Sequence, residues 1–189
     1  LLEKGLEHEL VLYFDGFVGN IEAGFRADLV DRIDGTRGWG LPAACARVWK
    51  LHGSVHWSFR NKSSSKNEIV RLGGPVASAA AIFPSEDKYE DSRRLPFVVL
   101  FDRLRRALET PETLTMINGY SFNDQHLNEM FFSAARQNPR SEIWVTCFNE
   151  IPARLEEEAL KYKNILVYSS SSAIIGGKRF TWEGNNIAH

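Results

Sequence analysis

From Pro96 onward, the apolar positions repeat with helical spacing in three separate segments. The first predicted helix has apolar residues at intervals of three and four: Phe97, Leu100, Phe101, Leu104 and Leu108. The second has an apolar face after a candidate N-cap at Asp124, and that face contains Leu127, Met130, Phe131, Ala134 and Ala135. A third helix is predicted in residues 151–162, where Pro152 lies near the first turn.

Short apolar runs alternate with these helices and predict buried strands. They are TLTMING at 113–119, EIWVTCF at 142–148 and NILVYSS at 164–170. Strands joined through helices by short connections pair in parallel, with right-handed crossovers. The predicted fold class is therefore α/β, a Rossmann-like parallel sheet with flanking helices.

The pattern in residues 1–95 is less regular and predicts a loop-rich insertion. Loops are expected at 13–19 and 32–42, and an exposed turn at 60–68. Residues 45–57 predict a strand interrupted at His52-Gly53, and a further short strand is expected near 80–83. We treat 1–189 as one domain, with a loop-rich half at 1–95 and a regular α/β half at 96–189.

Composition and charge are those of an ordinary globular domain. Of the 189 residues, 43% are hydrophobic and 25% are charged, which excludes a disordered chain. The net charge of -1 gives no global attraction to nucleic acid or to an anionic membrane, so neither partner is expected. No apolar run approaches the roughly 20 residues of a membrane span, and a cytoplasmic location is expected.

The cysteines and histidines give no prediction of a metal site. Cys45 and Cys147 form no C-x-x-C motif, which excludes a zinc site built on paired cysteines; a disulfide between them stays open, although buried thiols are commoner in such a composition. In a regular strand, His52 and His56 would lie roughly 13 Å apart, at ~3.3 Å per residue, too far to share one ion.

The segment NGYSFND, 118–124, is the first candidate for a binding site. Ligands of open parallel sheets bind beyond the carboxyl ends of the strands. Gly119 permits a tight turn and a close approach, Ser121 and Asn123 offer hydrogen bonds, and the following helix presents free N–H groups. This pattern fits a nucleotide ribose or phosphate, although the same residues also occur where they only cap a helix. Asn149, after the next strand, either binds a ribose or base edge or caps the third helix.

His52 is the candidate catalytic residue. It precedes Gly53, which leaves one face of the chain uncrowded, and imidazole takes up a proton near neutral pH, as a general base must. The alternative is a histidine bonded to the backbone. Trp57 and Phe59 either line a pocket or belong to the core.

Four segments together resemble one family. They are YFDGF at 13–17, KLHGSVHW at 50–57, IFPSEDKY at 82–89 and INGYSFNDQHLNEMF at 117–131. In order and spacing they resemble sirtuin-like (silent-information-regulator) domains, and among these the bacterial prophage- and defence-associated branch. The resemblance implies that His52 is the general base and that Gly119, Tyr120 and Ser121 contact the dinucleotide. It also implies that Asp124 caps the helix or supports the turn, and that Asn149 lies near the adenine ribose.

The same resemblance implies NAD as the substrate. The implied activity is that of an NAD glycohydrolase, which releases nicotinamide and ADP-ribose in antiphage defence. A homo-oligomer, or a sensor or ATPase partner, is also implied. An NAD-dependent protein deacylase and a non-catalytic nucleotide-binding or assembly module are the alternatives.

The chain departs from the family pattern in two respects. The glycine-rich phosphate loop and the Asn-x-Asp segment are not found, so we expect that the N-terminal part of the domain is absent and that this chain binds dinucleotide weakly or not at all. The two cysteines cannot build the four-cysteine zinc module of the family's deacetylases, which favours the zinc-free branch.

Overall fold

The structure is a computed structural model that describes residues 2–29, 45–61, 67–77, 79–81 and 95–182. The predicted loop at 32–42 and the motif at 82–89 lie outside the described residues. The chain divides into two compact units, Leu1–Leu104 and Arg105–His189, which are described separately. Whether all 189 residues form one domain stays a prediction.

The first unit contains short strands and one short helix before a longer helix that crosses the division. The elements are α1 (Leu2–His8), β1 (Tyr13–Phe14), β2 (Phe17–Val18), β3 (Glu22–Phe25), a 3-10 turn (Ala27–Leu29), β4 (Ala46–Arg47), β5 (Trp57–Asn61), β6 (Asn67–Leu72) and α2 (Phe97–Glu109). An antiparallel sheet has the order β2-β3-β6-β5, and β1 pairs with β4 in parallel.

The strands of the first unit correct the prediction of a loop-rich first half. Strands β1 and β2 lie in the segment predicted as a loop, and β6 was not predicted at all. Two of these strands have only two residues, too few to show alternation. In β6, Ile69 and Val70 are both buried, so the period-2 pattern is missing there as well.

The predicted strand at 45–57 is also wrong over most of its length. Only Ala46–Arg47 and Trp57 belong to strands, whereas His52 and His56 lie in turns. The amide of Gly53 donates to the Lys50 carbonyl and that of Trp57 to the Ser54 carbonyl, both at 3.0 Å. Because these bonds close local turns, the two histidines do not share one face of a strand.

Trp57 is at the centre of the apolar core of the first unit and is fully buried. Its ring centroid lies 4.9 Å from that of Phe17 and 5.9 Å from that of Phe97. Of the two interpretations of Trp57, the structure therefore supports core packing. Phe59, two residues further on, is 45% exposed.

The second unit has the predicted α/β order. Its elements are β7 (Leu114–Asn118), α3 (Gln125–Gln137), β8 (Glu142–Thr146), α4 (Ala153–Lys161), β9 (Ile165–Tyr168), β10 (Ser172–Ile175) and β11 (Lys178–Thr181). Strands β7, β8 and β9 are parallel neighbours, and β10 and β11 extend the sheet antiparallel. The prediction of a Rossmann-like α/β fold is confirmed, although the β10–β11 hairpin was not predicted. Its turn contains Gly176 and Gly177, both with positive φ, which is a recognised hairpin signal.

The core of the second unit joins one face of the sheet to the two crossover helices. Val167 and Ile174 from the sheet and Leu155 and Ala159 from α4 are completely buried in it. No described helix is long and apolar enough to cross a membrane.

Candidate functional site

The turn after β7 lies at the carboxyl edge of the parallel strands. It contains residues 119–124 and connects β7 to α3. The Thr146 hydroxyl, at the end of β8, donates to the side-chain oxygen of Asn118 at 3.0 Å and so joins the two strand ends. The predicted location of the turn in the sheet is correct, and this edge is where parallel sheets bind ligands.

Gly119 has the backbone conformation and the open surroundings that a ligand needs to approach the backbone of the turn closely. Its φ of +68° lies in the left-handed region that disfavours side chains, and apart from Gly119 and its two chain neighbours no described residue has an atom within 4 Å of the position a Cβ would take. Ser121 and Asn123, further along the turn, are exposed. The turn therefore presents an open backbone position, a hydroxyl and an amide to solvent.

The Tyr120 side chain points back into the turn. Its hydroxyl lies 2.8 Å from the Asn128 side-chain oxygen and 3.0 Å from the Asp124 carbonyl, and it has one proton to donate. Its ring packs against Phe122 and Phe131, at centroid distances of 4.7 and 6.0 Å. Burial, reinforced by the negative charge of Asp124, raises the pKa of Tyr120 to about 12, so the phenol stays neutral. Its hydroxyl thus supports the turn from within.

Phe122 is the strained residue of the turn. Its φ is +57°, which is rare for a bulky side chain, and it is only 8% exposed. The buried side chain of Asn128 donates from Nδ2 to the Phe122 carbonyl at 2.8 Å. Asn128 was not predicted from the sequence, because it lies in a mostly polar first turn of the helix, QHLNE at 125–129, where nothing local distinguishes a buried amide from an exposed one.

Asp124 is the N-cap of α3, as predicted. Its Oδ1 accepts hydrogen bonds from the amides of His126 at 3.0 Å and Leu127 at 3.2 Å. The first-turn N–H groups expected to face a ligand are therefore partly occupied by a carboxylate of the chain itself. An added phosphate here would meet that negative charge, whereas a neutral hydroxyl would not.

Asn149 follows β8 at the same edge of the sheet and is exposed, as is Phe148 before it at 92%. The interpretation of Asn149 as the cap of the third helix is wrong, because the N-cap of α4 is Pro152, three residues further on. The side chain of Asn149 is therefore not used to start the helix.

His52 belongs to the first unit and is exposed on its turn. Its ring centroid lies 5.9 Å from that of Phe101. Gly53 has φ +91° and forms an isolated bridge with Ala81, and a Cβ on Gly53 would lie 2.4 Å from the Ala80 carbonyl oxygen. The prediction that Gly53 leaves one face of the chain uncrowded beside His52 is therefore wrong on this side, because the 80–81 backbone fills the space that a side chain would take.

The structure brings part of the predicted site together. Gly119, Tyr120, Ser121 and Asp124 share one turn, and Asn149 follows the neighbouring strand. His52 lies in the other unit.

The cysteines are separate thiols. Cys45 and Cys147 are both half-buried and free, and burial raises the pKa of the Cys147 thiol. Within the described ranges, no group of three or more His, Cys, Asp or Glu side chains is arranged to hold a metal ion.

Comparison with known families identifies the chain. No curated protein matches it significantly. Residues 29–168 match the SIR2-like domain, a span that contains the turn of His52, the turn after β7 and the strands β7 to β9. Since this match covers well over half of the sequence, the chain belongs to the SIR2-like domain family.

Proposed function

We propose that the protein hydrolyses NAD at the bond between nicotinamide and ribose. The observation that carries this proposal is the turn after β7, where Gly119 has open space before it and Ser121 is exposed. It lies at the sheet edge where α/β proteins bind nucleotides, within a SIR2-like domain. The whole sequence has two cysteines, too few for a four-cysteine zinc module, which favours hydrolysis over deacylation.

Within this proposal, the turn binds the dinucleotide through neutral groups. The Gly119 backbone and the Ser121 hydroxyl contact a ribose, Tyr120 keeps the turn in shape, and Asp124 caps α3 behind it. A ribose suits this position better than a phosphate, because the Asp124 carboxylate already accepts two of the helix amides. Asn149 offers its amide to the adenosine portion from the end of β8.

His52 acts as the general base. The bond to nicotinamide breaks with its electron pair leaving on nicotinamide, and the ribose C1 becomes oxocarbenium-like. Water adds at C1, and His52 removes its proton, directly or through a ribose hydroxyl, which leaves ADP-ribose. The exposed side chain of His52 on a tight turn is compatible with this role.

We propose a role in antiphage defence, which the resemblance to the bacterial defence branch supports. NAD depletion would stop phage growth in an infected cell. We propose that a sensor or ATPase partner, or assembly into a homo-oligomer, controls this activity. The net charge of -1 gives no reason to invoke nucleic acid as a direct ligand.

The test measures nicotinamide release from NAD by the product of the complete reading frame. We expect release without any peptide, and His52→Ala should lower its rate by about 10²–10⁴-fold, the contribution typical of a general base. His8→Ala is the matched control, since His8 is an exposed histidine at the end of α1. Its rate should equal that of the wild type.

Other results point to the alternatives. Nicotinamide release that requires an acetylated peptide, with loss of the acetyl group by mass spectrometry, would identify a deacylase. Binding of NAD without release would favour a nucleotide-binding or assembly module. Unchanged release by His52→Ala would remove His52 from the mechanism.

A further inference from the structure

We propose that Asn128 is a positioning residue that holds the turn after β7 in its ligand-binding shape, an inference that rests on the function proposed above. Asn128 lies in the first turn of α3, and its side chain is buried. It acts through Tyr120 and Phe122, which belong to the turn.

The burial of Asn128 requires an explanation. It is 1% exposed, and burying an amide group without hydrogen-bond partners destabilises a folded protein. Both ends of the amide are satisfied, because Nδ2 donates to the Phe122 carbonyl at 2.8 Å and Oδ1 accepts from the Tyr120 hydroxyl. The Asn128 backbone amide also donates to the Asp124 carbonyl at 3.0 Å. All three partners thus lie within five residues of one another in a single turn.

These bonds hold the turn in a conformation that its sequence alone does not favour. Phe122 has a φ of +57°, a strained value for a residue with a bulky side chain. Its ring is buried and stacks on Phe132, with an interplanar angle of 13°. The Asn128 amide holds the carbonyl of the same residue, so Phe122 is anchored at both its ring and its backbone.

Anchoring Phe122 affects ligand binding because it sets the direction of the two side chains on either side of it. Ser121 and Asn123 flank it and are exposed, whereas Phe122 itself points into the core. Anchoring Phe122 inward therefore keeps the hydroxyl of Ser121 and the amide of Asn123 on the solvent side. Because the turn is already ordered before the ligand binds, binding does not cost the conformational entropy of ordering its backbone.

The first experiment measures NAD affinity by calorimetry for the product of the complete reading frame and for its Asn128→Asp and Tyr120→Phe variants. Asn128→Asp has nearly the same shape, but its carboxylate cannot donate to the Phe122 carbonyl. We expect NAD affinity to fall at least tenfold at neutral pH and to recover as the pH is lowered, because a protonated carboxyl can donate again. Tyr120→Phe removes the second bond and should weaken binding in the same direction, without recovery at low pH.

The control separates positioning from general stability. Val167→Ala removes buried volume from β9, in the same core but away from the turn. It should lower the free energy of unfolding while NAD affinity in the folded protein stays at the wild-type value. If Asn128→Asp and Tyr120→Phe lower NAD affinity no more than Val167→Ala does, Asn128 is only a packing residue and the inference is wrong.

A second measurement keeps this inference distinct from the proposed function. Amide hydrogen exchange of residues 119–123 is followed without any ligand, and Asn128→Asp should raise their exchange rates while those of β8 stay unchanged. If the product of the complete reading frame binds no NAD, the proposed function is overturned, and the dinucleotide part of this inference with it. The exchange rates would still decide whether Asn128 holds the turn, and unchanged rates would overturn that statement.

Discussion

The backbones of Gly53 and Ala81 pair in an isolated antiparallel bridge, one residue after His52. A Cβ on Gly53 would lie 2.7 Å from the Ala81 Cα, closer than real Cβ contacts allow. The φ of +91° at Gly53 also lies in the left-handed region. Two independent constraints thus require glycine at this position, and both act on the turn that carries the proposed base.

Gly53→Ala tests this requirement. The new methyl group must push the 80–81 backbone away, so we expect the free energy of unfolding to fall by about 1–3 kcal/mol, the range for overpacked sites. Chemical denaturation measures this loss, and nicotinamide release should fall as the turn of His52 shifts. Gly5→Ala is the control, because Gly5 lies in α1 and, outside its own helix, no described residue has an atom within 4 Å of the position a Cβ would take. That variant should be as stable as the wild type or more stable.

The ion pair of Asp15 and Arg71 supports a prediction about the first unit. Asp15 is 2% exposed, its Oδ2 lies 3.1 Å from Arg71 Nη1, and its Oδ1 accepts from the Phe17 amide. Arg71→Met leaves a buried carboxylate without its partner and should destabilise the protein by about 3–5 kcal/mol. Asp15→Asn should cost less, because Arg71 still reaches water.

Chemical denaturation of Arg71→Met and Asp15→Asn measures which of the two variants loses more free energy of unfolding. Arg26→Met is the control, since Arg26 pairs with Asp28 at the surface, where ion pairs contribute little. A larger loss for Asp15→Asn than for Arg71→Met would contradict the view that the buried carboxylate depends on Arg71.

The raised pKa of Tyr120 predicts a loss of stability at high pH. The folded protein holds the phenolic proton up to about 12, whereas the unfolded chain releases it near 10.0. The associated stability is therefore complete below pH 10 and declines as the pH rises from 10 toward 12. Tyr120→Phe should show a smaller decline over this range. Rapid pH-jump absorbance of tyrosinate gives the matching readout, and the variant should lack one transition near pH 12.

Asp124 has separable effects as a cap and as a charge. Asp124→Ala removes the acceptor for two amides of α3 and should cost about 1 kcal/mol of unfolding free energy. Asp124→Asn keeps an acceptor but removes the charge, so it should cost less. It should also bring the pKa of Tyr120 partway back toward its ordinary value, since burial is the larger cause of the shift. Equal losses for both variants would show that the charge, and not the cap, is what stabilises the helix.

The sequence by itself determined the alternating helices and parallel strands from α2 to β9, although not the β10–β11 hairpin. Apolar spacing in 97–108 and the short runs that became β7, β8 and β9 predicted the helices and parallel strands, because burial on a helix or a sheet requires those periods. It also indicated the turn at 118–124 and the cap at Asp124, since the chemistry of a glycine turn and an N-cap is local. Of the four family segments, those at 50–57, 82–89 and 117–131 lie within the matched range, and the one at 13–17 lies outside it.

Only the tertiary structure decided the first unit and the interior of the turn. Strands of two residues, such as β1 and β4, exist because a partner distant in sequence pairs with them, and no local period reveals that pairing. The turn at His52 depends on contact with residues 80–81, nearly thirty positions away. Likewise, the role of Asn128 follows from burial: an amide removed from water must bond to whatever surrounds it, and here its partners are Tyr120 and Phe122.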